Sequence, residues 1–123
     1  LLEENSFALV NAFIAGDTAK TLKIYQDFRV QNQEPIAFIA QVANQFRTYA
    51  KIYIYHEAGF TNDEIASDLN IHPYRVKLAM DQRRRTSLDQ VFDILVALAK
   101  LDYEIKSGQI DRFYGFELFL LNY

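Results

Sequence analysis

Between Gly59 and Lys77 the chain reads Gly-Phe-Thr-Asn-Asp-Glu-Ile-Ala-Ser-Asp-Leu-Asn-Ile-His-Pro-Tyr-Arg-Val-Lys, and this stretch restricts the fold more than any other. Gly59 can end a helix by taking the left-handed conformation that other residues avoid. Thr61 with Glu64 three residues on is a capping box, so a new helix opens there. Ile65, Ala66 and Leu69 share one face of it. Asn70 tolerates the left-handed region, and Pro73 suits the first turn of a following helix. Val76, Ala79 and Met80 then give that helix an apolar side, with Ile71 expected to plug the angle. Two short helices therefore meet at a tight corner with helix-turn-helix geometry, which can serve either DNA reading or plain packing.

The rest of the chain falls into helices around this corner. Asn5 or Ser6 can cap a first helix carrying Phe7, Val10 and Ile14. Gly16 ends it, and Asp17 caps a second with Ala19, Leu22, Tyr25 and Phe28. Asn32-Gln33-Glu34 is a loop before Pro35. From Pro35 to about Ala58 the sequence has no interior Gly or Pro and predicts the longest helix. One stripe there is Ile36, Ile39, Ala40, Ala43, Phe46, Ala50, Tyr53 and Ile54; a second is Phe38, Val42, Tyr49 and Ile52. Two stripes mean packing on two sides, which makes this helix the central rod. Ser87 with Gln90 forms a second capping box, opening a helix with Leu88, Val91, Phe92, Leu95, Leu98, Ala99 and Ile105. Gly108 ends it, and Asp111 caps a last helix that is apolar almost all round. No segment alternates as a half-buried strand does. The expected fold class is all-α: a compact array of about seven helices around a long central helix.

Composition narrows the function. The chain has 123 residues, ten of them Phe and eight Tyr, enough for one domain with a real core and too apolar for disorder. It has no cysteine, which removes disulfides and thiolate metal sites and fits a reducing, cytoplasmic setting. No apolar run approaches the roughly 18 residues of a membrane span. With Leu1 first and no initiating Met, residues 1–123 are expected to be a single domain cut from a longer chain.

Few side chains suggest chemistry. His56 and His72 are the only histidines, neither belongs to a spaced ligand set, and there is no Gly-rich phosphate loop. No catalytic, cofactor-binding or metal-ligating residue is assigned. Tyr49, Tyr53 and Tyr55 could stack on bases, but at helical spacing they read as core and core edge. Arg75, Lys77, Arg83, Arg84 and Arg85 lie on or just after the second corner helix, where a DNA-reading motif places its contacts. Against that, Lys and Arg near a helix C-terminus offset the macrodipole. Asp63, Glu64 and Asp68 on the preceding helix would repel phosphates, and the net charge is −3. Any DNA contact by these residues is expected to be weak and non-specific.

Several segments together resemble one family. Gln45-Phe46-Arg47, Glu64-Ile65-Ala66 with Leu69, and above all Ile71-His72-Pro73-Tyr74-Arg75-Val76-Lys77 match in order. Asp102 with Ile105-Lys106-Ser107-Gly108 follows, and Phe7-Ala8-Leu9-Val10 with Gly16-Asp17 fits the beginning. The sequence is similar to the C-terminal domain of the delta subunit of the bacterial replicative clamp loader, part of the DNA polymerase III holoenzyme. Asn70 departs from the Gly common there, but it serves a left-handed turn nearly as well. The resemblance implies a non-catalytic collar (oligomerisation) domain that helps assemble the loader placing the sliding clamp on primed DNA. It also implies gamma/tau and delta-prime subunits as neighbours, and a clamp contact made only by N-terminal domains outside this stretch. The alternative is a helix-turn-helix regulator that binds DNA.

If the domain assembles, the last helix is the expected contact, because Phe or Leu lies on every side of it. Phe113, Phe116, Phe119 and Leu120 are the candidate anchors. Asp102 and Lys106, four residues apart on the preceding helix, are expected to border the same surface as an ordinary intrahelical pair.

Overall fold

A computed structural model describes residues 2–123 and places among them seven helices and no strand. They are α1 (Leu2–Ile14), α2 (Thr18–Val30), α3 (Pro35–Glu57), α4 (Asn62–Leu69), α5 (Pro73–Asp81), α6 (Leu88–Lys106) and α7 (Arg112–Asn122). The expected all-α array around a central rod is what forms. Pro35 opens α3 at its first turn, where the missing N–H costs nothing, and 23 residues then run without a breaker. Phe38, Val42, Phe46, Tyr49 and Tyr53 are buried along it, with Ile39, Ala43 and Ala50 beside them. The helix accordingly packs against α1 and α6 along its length, and against α4, α5 and α7.

Aromatic rings knit the other helices to this rod. Phe28 of α2 stacks on Phe38 at 4.2 Å between centroids, and Phe116 of α7 meets Tyr25 edge-on at 5.1 Å. Phe13 of α1 touches both Phe46 and Phe119 at 5.9 Å. Such pairs add about 0.5–1.5 kcal/mol each beyond the area they bury, so α1, α2, α3 and α7 share one core. The expected helix ends also form. Asp17 caps α2 by accepting from the Lys20 N–H at 3.1 Å, and Asp111 accepts from those of Phe113 and Tyr114.

Several expectations need correction, and on α3 the predicted stripe residues Ala40 and Ile54 are exposed. Helix α1 begins by Leu2, so neither Asn5 nor Ser6 caps it. Glu3 and Glu4 favour the first turn through the macrodipole, and the buried Ser6 hydroxyl instead donates to the Glu3 carbonyl at 2.8 Å. On α2, Ala19 is exposed. On α6, Phe92 and Ala99 point outward, and the buried positions are Val91, Ile94, Leu98 and Leu101. That helix is apolar on two faces, and only the choice of the one lying on α3 separates them.

Candidate functional site: the helical corner and the outer faces of α6 and α7

The corner is built as its sequence requires. Thr61 Oγ1 accepts from the Glu64 N–H at 3.2 Å, while the Thr61 N–H donates to Glu64 Oε1 at 2.9 Å. That backbone donor stabilises the Glu64 carboxylate and holds its pKa below the usual value. Asn70 sits in the left-handed region at φ 54°, ψ 49°, and the Ile71 N–H reaches back to the Ala66 carbonyl at 3.0 Å. His72 then caps α5, its Nδ1 accepting from the Tyr74 N–H at 3.0 Å. One of the two histidines is thus occupied with folding the corner.

The five basic residues do not converge. Arg75 turns back to α1, its guanidinium 4.4 Å above the Phe7 ring and 3.4 Å from Glu3. Arg83 lies 3.3 Å from Glu57 at the end of α3. Arg85 folds over the backbone at Gly16 so closely that a Cβ there would collide with its guanidinium. Lys77 and Arg84 are exposed and have no ion-pair partner among the described residues. Beside them the outer side of α4 is acidic: Asp63, Glu64, Ser67 and Asp68 line a shallow depression with Phe60. Tyr55 donates its phenolic hydrogen to Asp68 and leans on Phe60 at 4.9 Å. A phosphate approaching α5 would meet Lys77, Arg84 and Arg85, none in an ion pair among the described residues, beside a carboxylate cluster, a weak electrostatic footprint. Among the described residues, no three His, Cys, Asp or Glu side chains gather closely enough to hold a metal ion. No described helix is long and apolar enough to cross a membrane.

The last helix divides the candidate contact residues. Phe116, Phe119 and Leu120 are buried in the core; they hold α7 down and are not on the surface, which corrects the expectation that they anchor a neighbour. The period of 3.6 residues puts these positions on one side, and the inner face takes them. Phe113 is half-buried with the guanidiniums of Arg29 and Arg112 over its ring at 5.3 and 5.2 Å. The large apolar residues α7 leaves in solvent are Tyr114, Leu118 and Leu121, at i, i+4 and i+7. Asp102 and Lys106 do pair, at 2.9 Å. They border a different feature from the one expected, since their groove is formed with Ala40, Asn44 and Arg47 of α3 and contains no residue of α7.

A second exposed stripe escapes the sequence reading: Phe92, Val96 and Tyr103 on the outside of α6, with Ala99 between them. Its signal is in the sequence, as a second apolar series one or two residues out of step with Val91, Ile94 and Leu98.

Residues 3–123 match the family model described as the C-terminal domain of the DNA polymerase III delta subunit. The chain is 42% identical over 120 residues to DNA polymerase III subunit delta of Bacillus subtilis (strain 168), covering 98% of this chain and 35% of that protein. It superposes with a TM-score of 0.86 on the solved Bacillus subtilis DNA clamp loader delta protein, at 42% identity, covering 99% of this chain and 36% of that one. The chain thus spans about a third of the length of the relatives it matches. The regulator alternative finds no support in these matches.

Proposed function

Since the chain belongs to the family formed by the C-terminal domains of DNA polymerase III delta subunits, we propose that it is the collar domain by which such a protein joins its clamp loader. The observation carrying this reading is the match across nearly the whole chain to a clamp loader delta protein, joined to a surface whose distinctive features are apolar helix faces. In this reading the chain is the C-terminal part of a longer cytoplasmic protein, and its neighbours are the gamma/tau and delta-prime subunits. The sliding clamp is met by domains N-terminal to it. It performs no catalysis of its own and contributes to a DNA-directed DNA polymerase complex by assembly.

Within the domain, Tyr114, Leu118 and Leu121 with the half-buried Phe113 are the proposed contact on α7, because they are the apolar side chains that helix leaves uncovered. Subunit interfaces draw their energy from a few such anchors. The Asp102–Lys106 pair, in its separate groove, is a rim element that sets register more than affinity. A pull-down of the full-length protein against the other loader subunits, beside a DNA gel shift, tests the assignment. Loader subunits should be retained, and DNA bound weakly with strong loss on adding salt. Nanomolar, sequence-selective DNA binding at physiological salt without loader retention would overturn it.

A further inference from the structure

A groove of about 660 Å³ runs beside α6, away from the corner and from the exposed face of α7. Its long wall is α6 itself, where Gln90, Asp93, Ala97 and Lys100 follow at i, i+3, i+7 and i+10 on one face. From Gln90 to Lys100 is about 15 Å of helix, nearly three turns. The other walls are the end of α1 with Gly16, Arg85 and Thr86 ahead of α6, and Tyr123 past the end of α7. Tyr123 closes its side by donating to the Asp93 carbonyl at 3.3 Å. Phe13, Ile14 and Ile94 make the floor between them apolar. Two cations stand at opposite ends of that floor. The Arg85 guanidinium rests on Gly16 near the start of α6, and Lys100 lies far along the helix. Both are exposed, and neither is in an ion pair among the described residues. In a chain of net charge −3, this groove is therefore locally positive, with Asp93 its one carboxylate.

We infer that the groove binds a short, extended, acidic peptide segment of a separate protein. Charge complementarity sets the pattern of the occupant: an acidic residue toward each end, for Arg85 and Lys100, and apolar side chains between them on the floor. Asp93, between the two cations, repels a further carboxylate in the middle. An extended segment suits the groove better than a helix does. Only α6 runs along it, while α1 and α7 reach it at their ends, so no pair of parallel ridges awaits a helix. At about 3.3 Å per residue, some five extended residues cover the distance from Gln90 to Lys100. A nucleic-acid strand fits less well, because its evenly spaced phosphates would be set against Asp93 and the apolar floor would go unused. Residues ahead of Leu2 attach at the far end of α1, roughly 20 Å from the groove, which favours a separate protein over the rest of this chain. The site does not rest on the collar reading, since Tyr114, Leu118, Leu121, Asp102 and Lys106 all lie outside it.

The test uses the full-length protein and a fluorescein-labelled peptide with blocked ends, Glu-Asp-Leu-Phe-Leu-Asp-Glu, read by fluorescence anisotropy. The parent should bind it with a Kd of roughly 10–100 μM. Lys100→Glu and Arg85→Gln should each weaken binding by about fivefold or more. Asp93→Asn removes the central carboxylate, keeps the carbonyl that accepts from Tyr123, and should strengthen binding by about twofold. Lys20→Glu, on α2, changes the net charge as Lys100→Glu does and should leave binding unchanged. All four positions are exposed, and circular dichroism should report unchanged folding. A parent that does not bind overturns the proposal, as does Lys20→Glu matching Lys100→Glu. Equal binding of a peptide with Lys in place of its acids, or Ser in place of its apolar residues, overturns it too. An oligothymidylate that displaces the peptide at lower concentration than unlabelled peptide gives the groove to nucleic acid instead. Retention of the loader subunits is scored in the pull-down. Lys100→Glu should retain them; if it loses them, the groove belongs to a loader neighbour and the independent site is overturned.

Discussion

Tyr25 donates its phenolic hydrogen to the carbonyl oxygen of Phe113 at 2.8 Å, a bond across 88 residues that ties α2 to the first turn of α7. Tyr25 is fully buried and its ring lies edge-on to Phe116. One side chain thus fixes both the depth and the azimuth of the last helix. Tyr25→Phe keeps the ring and removes the donor, which should cost about 0.5–1.5 kcal/mol. For a chain of this size that lowers the melting temperature by roughly 3–6 °C. Tyr114→Phe, at an exposed position, is the control and should melt with the parent. An unchanged melting temperature for Tyr25→Phe would mean the bond contributes nothing.

Three buried phenols set a limit at high pH. Burial pushes the pKa of Tyr25 from 10.0 up to about 12, with Tyr53 at about 12 and Tyr49 raised further by burial and its neighbour Tyr53. Each donates as a neutral phenol, Tyr53 to the Ala79 carbonyl at 2.9 Å and Tyr49 to Asn11 at 2.8 Å. Below pH 10 they are neutral in both folded and unfolded chains, and their stabilisation is complete. Above it the unfolded chain releases protons that the folded chain retains, so stability falls as pH rises from 10 towards 12. Phenolate absorbance and helical circular dichroism should then change together in that window. Full ionisation of all eight tyrosines near pH 10 in a chain that remains helical would contradict it.

Asn70 is a second local test. Its φ of 54° places it where a side chain without β-branching is tolerated and Gly is unstrained. Asn70→Gly should leave stability nearly unchanged, while Asn70→Val should lose on the order of 1–2 kcal/mol through its branched Cβ. Chemical unfolding of the two variants side by side gives the difference. Equal midpoints would mean the corner does not depend on this conformation.

Much of the architecture was legible because helix ends leave local chemical marks. Thr61 with Glu64, Ser87 with Gln90, Asp17, Asp111 and Pro35 each announce a terminus through a group that must satisfy or avoid an N–H. The central role of α3 was legible from its two apolar stripes. What could not be read was which of several apolar faces a helix turns inward. On α6, Val91 and Phe92 are equally apolar neighbours, and only the packing of the folded chain puts Val91 inside. On α7 the same ambiguity made Phe116 and Phe119 look available when they are core. Nor did sequence spacing say where long side chains reach: Arg75 and Arg83 counted as a cluster until Glu3 and Glu57, distant in sequence, drew them apart.

The division of α7 makes the assembly reading testable residue by residue. Phe116 is fully buried against Tyr25 and Phe38, so Phe116→Asp places a carboxylate in an apolar site with no partner. That should cost roughly 4 kcal/mol or more, and the variant should melt early whatever its partners do. Leu118 lies two residues on and faces solvent. Leu118→Asp should shift the stability of the chain by less than about 1 kcal/mol. In the full-length protein, however, it should elute apart from the other loader subunits on a sizing column where the parent co-elutes. Leu121→Asp should repeat that behaviour, because i and i+3 share the same exposed face. The two kinds of variant therefore separate the anchor that holds the helix from the face the helix offers. Should both Leu variants fold and co-elute with the loader like the parent, the exposed face of α7 is not the contact, and the collar must be joined through another surface.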